Sequence, residues 1–99
     1  MPITPSATMR ALIVHNEAIT RELLAHLLRT GGYDVHSADT GERALITMRR
    51  WRGRIDLLLT DVKLPGLVDG WMVGDAFRLC NPLRPILYAS ETEADLEQS

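Results

Sequence analysis

Asp61 closes the apolar run Ile55-Asp56-Leu57-Leu58-Leu59-Thr60 and precedes Val62-Lys63-Leu64-Pro65-Gly66-Leu67-Val68-Asp69-Gly70. A carboxylate at the carboxyl end of a buried strand, ahead of a Pro/Gly-rich loop, stands where open parallel α/β sheets put their chemistry. The strand holds the acid rigidly, and the loop supplies carbonyls, amides and space. An acid so placed can accept a phosphoryl group, ligate a metal or cap the next turn. Two further segments can join it: His15-Asn16-Glu17, directly after Arg10-Ala11-Leu12-Ile13-Val14, and Ser90, directly after Pro85-Ile86-Leu87-Tyr88-Ala89. Together they could hold a phosphoryl group. The acid attacks phosphorus, the hydroxyl donates to a phosphoryl oxygen, and a metal ion neutralises the accumulating charge.

The elements that must position these residues are legible from periodicity. Residues 10–14 form a mostly continuous apolar run, the signature of a strand covered on both faces. Ile19, Leu23, Leu24, Leu27 and Leu28 then recur at helical spacing, with Asn16 placed as N-cap and Gly31-Gly32 as a stop. A weaker strand is expected over 33–37, and Asp39-Thr40-Gly41 turns the chain. A helix over 42–51 follows, carried by Ala44, Leu45, Met48 and Trp51. A strand is expected over 55–60. A third helix spans about 71–80, with Val73, Ala76, Phe77 and Cys80 inward, and ends at Asn81-Pro82. Residues 85–89 read as a fourth strand, and Ser90-Glu91-Thr92 as the cap of a short last helix reaching toward Gln98. The order β-α-β-α-β-α-β-(α) implies an α/β fold, a doubly wound parallel sheet with helices on both faces. The flavodoxin-like strand order is the usual one at this size.

The 99 residues suffice for one domain, and a 45% hydrophobic fraction supports a core. Residues 1–8 read as a mobile N-terminal arm and 9–99 as a single domain. A net charge of −2 offers no basic face for nucleic acid or an anionic membrane. The local run Arg49-Arg50-Trp51-Arg52-Gly53-Arg54 is explained by a helix carboxyl terminus, where cations oppose the dipole. The single cysteine, Cys80, excludes an internal disulfide, suits a reducing cytoplasm and is expected to pack as a small hydrophobe. No apolar stretch approaches transmembrane length.

With these residues in place, the chain resembles the receiver domain of bacterial two-component response regulators over about residues 9–95. The motifs that carry the resemblance are Leu57-Leu58-Leu59-Thr60-Asp61-Val62-Lys63-Leu64-Pro65, then Asp69-Gly70, then Pro85-Ile86-Leu87-Tyr88-Ala89-Ser90. The resemblance implies a flavodoxin-like (CheY-like) fold, truncated here to about four strands and lacking the fifth strand and fifth helix. It makes Asp61 the phosphoacceptor and Ser90 the switch hydroxyl. Lys63 matches the position whose backbone carbonyl helps to hold magnesium, and Pro65 and Gly70 shape the loop. A histidine kinase or phosphotransfer protein is the implied phosphodonor.

Three departures from the family pattern follow. Receivers end the first strand with two adjacent acids that organise magnesium, and here those positions are His15 and Asn16. Only Glu17 is acidic. Magnesium requires hard oxygen ligands, so a site built from Asn16, Glu17, Asp61 and the Lys63 carbonyl is expected to be weak. The 99 residues end before the place of the family's fifth strand and its lysine, either as the whole protein or as a fragment of a longer one. Glu91 follows Ser90, where a small residue keeps the pocket open. A degenerate receiver with slow or absent phosphotransfer is expected.

Other readings of the same residues stand beside this one. Ser90 and Asn16 can serve as helix N-caps. His15 can complete a transition-metal site with Glu17 and Asp61, or sit hydrogen-bonded at the crevice rim. An Asp-dependent hydrolase needs a second acid two residues after Asp61, where Lys63 stands, so no enzyme is expected. A phosphorylation-independent interaction module is the principal rival. A sheet ending at the fourth strand exposes an edge and part of the Leu23/Leu27 stripe, from which self-association, as a homodimer, is expected.

Overall fold

The computed structural model describes residues 8–90. The expected last helix lies outside the described residues, as does nearly all of the expected arm. The order is β1 (Arg10–Val14), α1 (Ala18–Thr30), β2 (Asp34–Ala38), α2 (Gly41–Trp51), β3 (Leu57–Asp61), α3 (Gly70–Cys80) and β4 (Ile86–Ala89). All strand pairs are parallel, in the order β2-β1-β3-β4. This is the flavodoxin-like order with four strands among the described residues. Every expected element up to residue 90 is present, displaced by at most two residues at its ends.

Helix α1 lies against β1 and β2 on one face, while α2 and α3 pack together on the other. Right-handed crossovers require this split, because the chain reverses direction across the sheet after β2. The core lies between the sheet and the α2/α3 layer. It joins Leu12, Val14 and Leu58 of the sheet to Ala44, Met48, Val73 and Phe77 of the helices. Leu12, Leu58, Val73 and Phe77 are wholly buried. Burying each such side chain contributes about 1.5–3 kcal/mol.

The helix termini follow their capping chemistry. The Thr40 side chain accepts from the Arg43 amide at 3.1 Å, and Asp69 accepts from the Met72 amide at 2.9 Å. Each fills an otherwise orphaned donor. Asn16 does not cap α1. The N-cap is Glu17, whose side chain makes no capping bond, and α1 begins at Ala18, one residue later than the helical pattern implied. Cys80 is exposed rather than inward, at the open groove that α3 forms with the end of α2.

Helix α1 leaves uncovered the Leu23/Leu27 part of its stripe, as expected for a sheet ending at the fourth strand. Its buried residue is Ala25, with Leu24 and Leu28 half-buried, whereas Ile19, Leu23 and Leu27 are 86%, 57% and 57% exposed. The apolar stripe is wider than the sheet can cover, and its i, i+4, i+8 row faces outward. On β4, Leu87 is 52% exposed. Among the described residues, β4 is an edge strand with an open flank, as the sequence led us to expect.

Candidate functional site

Parallel register brings the strand ends to one edge. Val14 pairs with Ala38 and Thr60, and Asp61 pairs with Ala89. The next residues, His15, Asp39 and Ser90, therefore crown the same edge as Asp61. The Val62 amide donates to the Ala89 carbonyl at 3.0 Å, so the backbone beyond Asp61 is tied to the backbone leading into Ser90.

Asp61 projects from the last position of β3 with a side chain 18% exposed. Its backbone is fixed on two sides. The Thr60 hydroxyl donates to the Asp61 carbonyl at 3.0 Å, and the Gly70 amide donates to the Val62 carbonyl at 2.8 Å. Gly70 packs so tightly here that a Cβ would run into the Asp61 carbonyl oxygen and lie 2.7 Å from the Val62 Cα. The first turn of α3 thus seats directly on the backbone that carries the acid. The intervening loop is held by Glu42, whose carboxylate accepts from the Leu67 amide at 3.1 Å. That carboxylate passes over Gly66, at φ +89°.

His15 is the residue brought to Asp61. Its ring is nearly buried, with Nε2 at 3.7 Å from Asp61 Oδ2. Nδ1 accepts from the Glu17 amide at 3.2 Å. The His15 amide donates to the Ala38 carbonyl at 3.1 Å, and its carbonyl accepts from Arg21 Nη1 at 2.8 Å. The sequence placed a hydrogen-bonded histidine at the crevice rim, and that placement is correct. Its direction toward Asp61 was not legible.

The other expected site residues lie around this pair without closing on a metal. Asn16 and Glu17 are exposed on the loop after β1, and Lys63 is exposed just beyond β3. Among the described residues, no three histidine, cysteine, aspartate or glutamate side chains gather as a metal site. The proposed transition-metal set of His15, Glu17 and Asp61 therefore does not assemble. The donor set also fits magnesium poorly. The Asn16 amide and the Lys63 carbonyl bring no charge, and Glu17 is exposed on the loop after β1, so the set offers magnesium few charged oxygens.

Asp39 was not singled out from the sequence. It shares the edge and pairs with Arg43 Nε at 3.5 Å, beside a crevice of about 170 Å³ lined by Arg21, Ser37, Ala38, Asp39 and Arg43. A larger groove, about 680 Å³, lies between the carboxyl ends of α2 and α3, remote from Asp61.

Behind Ser90, Tyr88 lies across α3. Its ring meets Trp71 at 4.4 Å, and its hydroxyl occupies the space over Gly74. Burial pushes the Tyr88 phenol above the usual tyrosine range, and the nearby Asp75 carboxylate adds to the rise. No helix among the described residues is long and apolar enough to cross a membrane.

The arrangement resembles known proteins over nearly its whole length. The sequence pattern of the response regulator receiver domain matches residues 11–98. A two-component response regulator-like protein of rice (Oryza sativa subsp. indica), PRR73, is 38% identical over 88 residues. The match covers 87% of this chain and 12% of that protein. A response regulator receiver protein of Anaeromyxobacter sp. (strain Fw109-5) is 43% identical over 70 residues, covering 71% of this chain and 29% of the relative. The chain thus spans less than a third of the length of each of these curated relatives. Among solved structures, a response regulator receiver protein from Sinorhizobium medicae WSM419 superposes with a TM-score of 0.85 at 25% identity. That likeness covers 93% of this chain and 74% of the other.

Proposed function

The chain belongs to the response regulator receiver domain family of two-component signalling, and from that membership we propose that it is an atypical receiver with Asp61 as its phosphoacceptor. The observation that supports this reading is the position of Asp61. It ends β3, remains 18% exposed, and shares one sheet edge with the residues that follow β1 and β4. A histidine kinase or phosphotransfer protein is the donor, and the acyl phosphate forms on the Asp61 carboxylate. Magnesium binds weakly, because Asn16 and Glu17 do not replace the lost acid pair. The Ser90 hydroxyl then bonds the phosphoryl group, and the β4 end repacks around Tyr88. The cytoplasm is the compartment this donor chemistry requires.

Incubation with acetyl phosphate, followed by intact-mass measurement, tests the reading. One phosphate adduct is expected on the parent chain and none on Asp61→Asn. A folded parent chain that gains no adduct under any ionic condition rejects the phosphoacceptor role.

A second reading has its own observation in its favour. Ile19, Leu23 and Leu27 form an exposed apolar row on α1, and Leu87 on the edge strand β4 is exposed as well. Such a row suits a symmetric homodimer that acts as an interaction module without phosphorylation. Analytical ultracentrifugation of the parent chain and of a Leu23→Lys/Leu27→Glu variant addresses it. A parent dimer that becomes monomeric in the variant supports the module, and a parent chain monomeric at 100-micromolar-scale concentration (about 10⁻⁴ M, weak binding) removes it.

A further inference from the structure

We propose that the His15 imidazole stands in for a divalent cation at Asp61, so that the site takes up a phosphoryl group without metal. This rests on the reading of Asp61 as the phosphoacceptor. The argument starts from the charge problem. A carboxylate attacking a phosphoryl dianion needs positive charge or an N–H donor where the two anions meet. The described donor set does not assemble a metal centre there, whereas it does assemble a histidine.

The ring is built into place. The His15 backbone is bonded at both ends, through its amide to the Ala38 carbonyl and through its carbonyl to Arg21. The Glu17 amide occupies the Nδ1 lone pair. A neutral imidazole whose Nδ1 accepts must carry its hydrogen on Nε2, and Nε2 is the atom that faces Asp61 Oδ2 at 3.7 Å. That separation lies in ion-pair range and exceeds a well-made hydrogen bond. The N–H is thus directed at the carboxylate without being consumed by it, and it can turn to a phosphoryl oxygen bonded to the same acid.

With acetyl phosphate the step balances simply. An Asp61 carboxylate oxygen forms the new bond to phosphorus. The bond from phosphorus to the acetate oxygen breaks, and acetate leaves with the electron pair. His15 donates a hydrogen bond to a phosphoryl oxygen throughout and transfers no proton. A single directed donor is worth roughly 10²–10³ in rate when it is removed.

The experiment measures adduct formation from acetyl phosphate by intact mass, in excess EDTA and in excess magnesium. Four full chains are compared: parent, His15→Ala, His15→Gln and His15→Asp. The parent rate is expected to agree within about two-fold between EDTA and magnesium, and His15→Ala to fall by about 10²-fold. His15→Gln keeps an N–H donor and comparable volume, and should retain a metal-indifferent reaction even if the alanine variant fails to fold. His15→Asp, which restores a carboxylate, should react only with magnesium. A shift in metal dependence is a readout that loosened packing does not produce. The proposal is overturned if the parent reacts only with magnesium, if His15→Ala matches it in EDTA, or if His15→Asp alone reacts. Absence of adduct from all four chains, His15→Asp with magnesium included, rejects the phosphoacceptor reading itself.

Discussion

Replacing Gly70 with alanine should damage the acid-bearing strand end more than any other single methyl added to this fold. The new Cβ would meet the Asp61 carbonyl oxygen and approach the Val62 Cα at 2.7 Å. Both obstacles are backbone, so no rotamer change relieves the overlap. Either the first turn of α3 lifts, stretching the 2.8 Å bond from the Gly70 amide to the Val62 carbonyl, or the end of β3 shifts. Overpacking of this kind costs about 1–3 kcal/mol. Alanine's better helix propensity returns at most about 1 kcal/mol, and less at a first helical position. A net loss of about 1–2 kcal/mol follows, on the order of 4–16 °C in melting temperature for a domain this small. Gly32→Ala supplies the control. Gly32 has φ +94° with nothing within 4 Å of the would-be Cβ, so its penalty is conformational and remote from Asp61. Thermal melts followed by circular dichroism give the stabilities, and adduct formation from acetyl phosphate gives the reactivity. Gly70→Ala should lower both, and Gly32→Ala stability alone. A Gly70→Ala protein melting within about 3 °C of the parent, less than 1 kcal/mol on this scale, would refute the claim that α3 is seated on the acid's backbone.

Two further outcomes follow from the packing. Phe77, wholly buried in the α2/α3 layer, should cost roughly 3–5 kcal/mol when cut to alanine. A shift in urea midpoint worth less than about 1.5 kcal/mol would mean that the core collapses around the gap. Tyr88 should ionise above the ordinary tyrosine pKa of about 10, because burial and then Asp75 oppose the phenolate. The folded state therefore holds the proton more tightly than the unfolded one. The stability this contributes is intact below about pH 10 and is lost as pH rises through the folded value. Ultraviolet titration of a Tyr33→Phe variant isolates this group, and a midpoint at or below about 10 contradicts the packing described.

Strands β1, β3 and β4 were legible because each is a short, mostly apolar run bounded by turn residues, whereas the polar β2 gave the weaker signal; Asp61 stood out as the polar residue closing one of the apolar runs. The register that carries His15 and Ser90 to the same edge follows from parallel pairing alone. Three features were not legible, for three reasons. Five apolar residues on α1 define a stripe too broad to say which row the sheet covers, and Ala25 decided it. The aim of the His15 ring depends on the Glu17 amide, a backbone donor that no residue type advertises. The seat of the Tyr88 hydroxyl over Gly74 joins two elements that sequence spacing cannot align. Cys80 misled through periodicity, since helical spacing cannot show that α2 and α3 leave an open groove at their carboxyl ends.

The amino ends of the strands carry a different construction from the carboxyl ends. Arg10 alone binds Asp34 through Nε at 3.2 Å and the Arg54 carbonyl at 3.1 Å, and lies 3.8 Å over the Trp51 ring. Its amide donates to Asp56 at 2.7 Å. A hydrogen bond from His36 holds the Asp34 carboxyl below the usual carboxylate range, and Arg84 reaches Asp56 at 3.4 Å. The domain thus stands on a plinth riveted by charged side chains, while its opposite rim is stitched by backbone bonds and by side chains that reach backbone groups. Slow amide exchange should concentrate near the plinth, and displacement caused by a group arriving at the rim should die away before it reaches Arg10.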